Sequence, residues 1–268
     1  MTKGIPADEC GASAATALGG KAAAAGVEGN REVGGGPDDE VDEYDELLAA
    51  LGRTPEHDHR IAIHEAGHAL CARLLGHDVG GITVNPDAAR GYEGLCWGVG
   101  HSEAFVGGAG DACDILDALS EHMPQAGEDR RTVADIFENV YNRSIEFLAG
   151  RAAERMLIDG EPPTPADDLR QARELALLIC KSEHAVETFI AHCEVAARDL
   201  MKPYGDVLIV LSTVLRIKRT LDGAEIDEII SDVQARKALA VEHRRRADWR
   251  ARELSAKSFS SHIEATIG

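Results

Sequence analysis

The sequence predicts a mainly α protein with a small β-sheet beside its central helix. Three observations lead there. Aromatic residues make up only 4% of the 268 positions, while alanine and leucine abound, and both favour helices. Cap residues, glycines and prolines divide much of the chain into runs of helical length. The stretch 80–100 departs from that pattern, with short β-type runs edged by glycine.

Taken in order, residues 1–40 are rich in Ala, Gly and acid and contain Gly34-Gly35-Gly36-Pro37. Such a segment cannot bury a core and is expected to be disordered. Residues 1–52 carry eleven Asp/Glu against three Lys/Arg, a local charge of −8. Val41–Leu51 can form a short amphipathic helix through Val41, Tyr44, Leu47, Leu48 and Leu51. Thr54-Pro55-Glu56 offers an N-cap hydroxyl, a proline at the first helical position and an acid in the first turn. With Gly76 as the stop, this predicts a helix over 55–75, with Ile61, Leu70, Leu74 and Leu75 on an apolar face. Gly67 inside it costs about 1 kcal/mol relative to alanine, which suggests close approach by another backbone or an ion.

Gly81–Pro86 and Gly94–Val99 read as two strands joined by a loop. One short helix is expected near Asp111–Ser120, in the glycine-punctuated stretch 107–127. A long helix follows over about 129–158, broken by Glu161-Pro162-Pro163-Thr164-Pro165. Asp167 opens the next helix, to about 182, and further helices cover about 184–201, 204–219 and 224–250. Residues 233–268 reverse the charge, with eight Lys/Arg against four Asp/Glu. The expected division is an N-terminal segment at 1–40, a folded domain at 41–235 and a charged helical extension at 236–268.

A net charge of −19 argues against sequence-independent nucleic-acid binding. The basic tail suits a solvated charged helix better than an acidic partner. The chain start has no continuous apolar h-region, and no run approaches the ~18 apolar residues of a membrane span. Its six cysteines, Cys10, Cys71, Cys96, Cys113, Cys180 and Cys193, form no C-x-x-C pair. The expectation is a cytoplasmic chain with reduced thiols and no membrane anchor.

The chemistry is concentrated at His64-Glu65-Ala66-Gly67-His68, an H-E-x-x-H run inside the 55–75 helix. Residues four apart lie just over one turn apart, so both imidazoles leave one face and can hold one zinc ion. Glu65 sits beside that face, where it can serve as base toward a water. Catalytic zinc usually takes a third protein ligand and keeps one position open. Cys71 and Leu74 stand where the extended motif has its glycine and third histidine. Glu93 and Glu103 lie in strand-like or glycine-rich sequence. Asp168, Asp167 and Glu154 are the better candidates. Cys180 and His184, one turn apart, suit core packing with a surface histidine. His192 and Cys193 read as structural, and His57 and His59 as solvent-facing.

Four ordered segments resemble the peptidase domain of the membrane-bound AAA zinc proteases (FtsH-type). They are His64–Leu70 (HEAGHAL), Leu148–Glu154 (LAGRAAE), Ala166–Leu169 (ADDL) and Thr220–Ile226 (TLDGAEI). The resemblance implies zinc ligands His64, His68 and Asp168, with Glu65 as base and Glu154 near the site. Asp167 takes the place of the family's asparagine. The small sheet would accept a polypeptide substrate by strand addition. The chain departs from the family in having no G-x-x-x-x-G-K-[ST] loop and no other ATPase module. Unfolding would then fall to a separate AAA ATPase, and the oligomeric state is left open. The expected activity is a zinc metalloendopeptidase acting on flexible or unfolded polypeptide. The alternative is a zinc-bearing adaptor that no longer cleaves, a role for which Glu65 would be unnecessary.

Overall fold

The computed structural model describes residues 43–98 and 133–267. The N-terminal segment 1–40 and the helix expected near Asp111–Ser120 lie outside the described residues. The fold is mainly helical with one small antiparallel sheet.

Helix α1 (Glu43–Leu51) leads into α2 (Pro55–Leu74), whose start follows the expected capping. Thr54 Oγ1 accepts from His57 N–H at 3.2 Å. At the other end Gly76 adopts φ 83°, and its N–H donates to Arg73 O while His77 N–H donates to Ala72 O. That pairing is a Schellman motif, which needs a residue free to enter the left-handed region.

The expected single apolar face of α2 is too narrow. Asp58, Ile61–Ile63, Glu65–Gly67 and Ala69–Ala72 are all buried, because α2 runs through the middle of the molecule. It packs against α3 (Val133–Leu157), α5 (Glu183–Met201), α6 (Gly205–Lys218) and the sheet. Gly67 marks the crossing with α3: a Cβ there would lie 2.6 Å from Ala153 Cβ and 2.8 Å from Ala149 O. Around this axis Ile63, Leu70, Met201, Leu208, Leu211 and Leu215 are fully buried. Each such side chain contributes about 1.5–3 kcal/mol relative to exposure.

Strand β1 (Val79–Thr83) lies between β2 (Leu95–Gly98) and β3 (Thr220–Asp222), both antiparallel to it. Two strands were expected; the third comes from the short connection between the helices expected over 204–219 and 224–250. β1 also starts earlier and stops at Thr83, where Val84 N–H turns aside to donate to Arg219 O at 2.9 Å. Asp222 then caps α7 (Gly223–Ile267). Its Oδ1 accepts from Glu225 N–H at 2.8 Å, and Glu225 Oε2 accepts from Asp222 N–H at 3.0 Å. This reciprocal pair is a capping box.

Helix α4 (Ala166–Ile179) follows the expected proline break and packs on α3 and α5. A single 3-10 turn, Lys202–Tyr204, links α5 to α6. Cys180 caps α4 while His184 opens α5, so the two do not share a helix. Helix α7 runs unbroken past the expected boundary at 235 and past 250 to Ile267. Its first part packs through Ile226, Ile229, Ile230 and Val233. Among the described residues, no helix is long and apolar enough to cross a membrane.

A buried ion network ties these parts together around Asp58. Arg219 Nη1 and Nη2 donate to the two Asp58 oxygens at 2.6 and 2.8 Å. Tyr44 Oη donates to Oδ2 at 2.9 Å, and Arg53 Nη1 to Oδ1 at 3.3 Å. Burial pushes the Asp58 carboxyl up, but these donors outweigh it and hold the group below the usual carboxylate range. His57 and His59 are half-buried rather than solvent-facing, because Glu93 and Arg216 fold over them.

Candidate metal centre

The two motif histidines project from the same side of α2 toward α3 and the first turn of α4. Their rings meet edge to face, with centroids 4.7 Å apart. His64 Nε2 and His68 Nε2 are 3.1 Å apart. Asp168 Oδ2 lies 3.0 Å from the first and 3.5 Å from the second. Four ligands held at 2.0–2.1 Å in a tetrahedron stand about 3.3 Å from one another. The triangle therefore has the edge lengths of three zinc ligands.

The other ring nitrogens decide the chemistry. His64 Nδ1–H donates to Glu154 Oε1 at 2.6 Å, and His68 Nδ1–H donates to the backbone oxygen of Glu146 at 2.7 Å. Both partners are pure acceptors, so each neutral ring carries its lone pair on Nε2. Two lone pairs and a carboxylate oxygen thus converge on one point, an arrangement that a shared cation satisfies. Outer acceptors that fix the tautomer and orientation of metal-binding histidines are a regular feature of zinc sites.

Protons compete for the same atoms. Burial disfavours a charged His64 ring, yet its hydrogen bonds to Asp168 and Glu154 push it up to about 10. His68 is raised too, where the Asp168 charge outweighs burial. Asp168 is pulled well below the usual carboxylate range, since the histidines outweigh its burial. A dication and these protons are alternative answers to one excess of negative charge.

Glycine supplies the space. A Cβ on Gly150 of α3 would lie 2.5 Å from His64 Nε2 and 2.6 Å from His68 Nε2, so a side chain there would crowd both ring nitrogens. Gly150 thus abuts the site. Glu65 is buried beside the histidines. Burial raises its pKa, and the neighbouring histidines pull the other way. Among the described residues, nothing hydrogen-bonds its carboxylate.

The candidates for third ligand separate cleanly in space. Asp168 faces the histidines, whereas Asp167 is turned outward, accepting from Arg170 Nη2 and Gln171 Nε2 at 2.8 Å each. Glu154 reaches the far side of His64 rather than the donor triangle. Its Oε2 is buried with no hydrogen bond among the described residues, 4.0 Å from Arg60 Nε. Among those residues only His64, His68 and Asp168 gather as a metal-ligand group, with no fourth His, Cys, Asp or Glu. His192 lies apart, stacked on Tyr141, and Cys193 is buried in the core.

The backbone acceptor at Glu146 and the wall that Gly94 forms against Glu65 have no counterpart in the sequence reading. Neither has a sequence signal, since one is a carbonyl and the other a loop glycine. No known family model matches the chain, and no curated protein does.

Proposed function

We propose that the chain is a zinc metalloendopeptidase, similar to the FtsH-type peptidase domain, that hydrolyses flexible or unfolded polypeptide. One observation carries the reading: two histidine lone pairs and a carboxylate oxygen converge beside a buried glutamate that, among the described residues, accepts no hydrogen bond. His64, His68 and Asp168 would hold the ion. Bound zinc supplies Lewis acidity, which lowers the pKa of a water and polarises a carbonyl. Glu65 takes the proton of the attacking water on its carboxylate and passes it to the leaving amine. Glu154 and the Glu146 carbonyl keep the two rings turned so that Nε2 faces inward. Gly150 leaves room there for substrate and water.

Among the described residues three protein donors gather rather than four, which favours catalysis over a closed structural site, and Glu65 has no use in an adaptor. Buried free thiols at Cys71 and Cys193 suit a cytoplasmic setting. Where a folded substrate must be opened, a separate AAA ATPase would supply the work. Glu65→Gln tests the reading on casein. The variant should keep its zinc and lose about 100- to 10,000-fold in cleavage rate. Cleavage by the variant at the wild-type rate would overturn the proposal. So would a zinc-loaded wild type that cuts no flexible substrate.

A further inference from the structure

We infer that Arg53 is a positioning residue for Glu65, acting through the backbone of Glu93 and Gly94; the inference rests on the peptidase reading above. The Arg53 side chain is 3% exposed. Its Nη1 donates to Val84 O as well as to Asp58, and its Nη2 donates to Glu93 O. One guanidinium therefore grips both ends of the connection between β1 and β2.

The next residue along is Gly94. A Cβ there would lie 2.6 Å from Glu65 Oε1, 2.7 Å from Ile61 Cγ2 and 2.9 Å from Glu65 Cγ. The Gly94 backbone is thus the wall against which the glutamate rests. Packing against this wall limits where that carboxylate can point.

The anchor and the target share one rigid element. Asp58 and Glu65 both lie on α2, and Asp58 fixes Arg53. Arg53 in turn sets how closely the strand connection closes over Glu65. A buried guanidinium is costly to desolvate unless every donor is used. Here the donors go to Asp58 on α2 and to the backbone oxygens of Val84 and Glu93. Displacing a reacting group by about 1 Å can cost about 100-fold in rate, so a distant clamp of this kind acts on turnover.

Two variants separate positioning from mere support. Arg53→Lys keeps a positive charge near Asp58, but an ammonium on a flexible stem lacks the planar fork that spans both carbonyls. Gly94→Ala leaves the clamp intact and pushes directly on Glu65. Both should hold one zinc per chain and keep KM for an unstructured peptide within about twofold, with kcat lower by about 100-fold. A purely structural role would lower the thermal midpoint of Arg53→Lys and leave kcat of the folded protein unchanged. That result overturns the inference while the peptidase reading stands. If Arg53→Lys does not fold, Gly94→Ala decides: unchanged kcat there means the wall does not set Glu65. A wild type inactive on every flexible peptide removes both proposals together.

Discussion

Helix α2 carries two buried polar clusters less than two turns apart, and they are built in opposite ways. At Asp58 every charge is answered by protein: Arg53, Arg219 and Tyr44 donate to the carboxylate. At His64 and His68 the donors face one another, and Asp168 adds a third electron pair to the same point. Both clusters lie in low-dielectric surroundings, where an unanswered polar group costs most. The closed cluster holds elements together, and the open one leaves its electron pairs converging on one point.

Breaking the closed cluster should have the largest effect on stability. Asp58→Asn leaves Arg53 and Arg219 buried without their counter-charge, a loss of about 3–5 kcal/mol. Zinc content should be unchanged in the protein that folds, as denaturant titration and metal analysis can check together. A stable variant that loses zinc would mean that zinc binding itself depends on the Asp58 cluster.

At the open cluster the changes should act on affinity instead. Asp168→Asn should weaken zinc well beyond Asp167→Asn in a chelator competition, because Asp167 is occupied with Arg170 and Gln171. Glu154→Gln should fall between them, at about 10- to 100-fold, as an outer partner that orients a ligand. Asp167→Asn proving the more damaging would move the ligand by one residue.

The smallest effect expected is a change of slope with pH. Asp58 is held below its usual range, where its donors outweigh burial. A depressed carboxylate stabilises above its unfolded value, about 3.9. That contribution is lost as pH falls through the lower folded value. Between about pH 5 and pH 2 the thermal midpoint of wild type should therefore drop more steeply than that of Asp58→Asn. Parallel curves would show that Asp58 does not carry this linkage.

The contrast between the clusters also marks what the sequence could tell. The histidine pair and the start and stop of α2 were legible, because four-residue spacing, Thr54-Pro55 and Gly76 act locally. Asp168 entered as a candidate through its place at a helix start and through resemblance; its facing the histidines is a fact of tertiary packing. Strand β3 was hidden, since three residues after the left-handed Arg219 are too few for a period to show. The extension at 236–268 read as helical, but its continuity with the helix starting near 224 was not legible, because its charged sequence gives no local sign of where one helix stops and another begins. The closed cluster left no trace at all: Asp58 and Arg219 are 161 positions apart, and buried arginines look like surface ones until the fold is known.

Metal analysis of wild type, His64→Ala and His68→Ala, purified alike without added metal, tests the open cluster most directly. One zinc per wild-type chain and none in either variant, with a lower thermal midpoint in both because ligation and folding are coupled, is the outcome predicted here. Undiminished zinc in the two variants would contradict it.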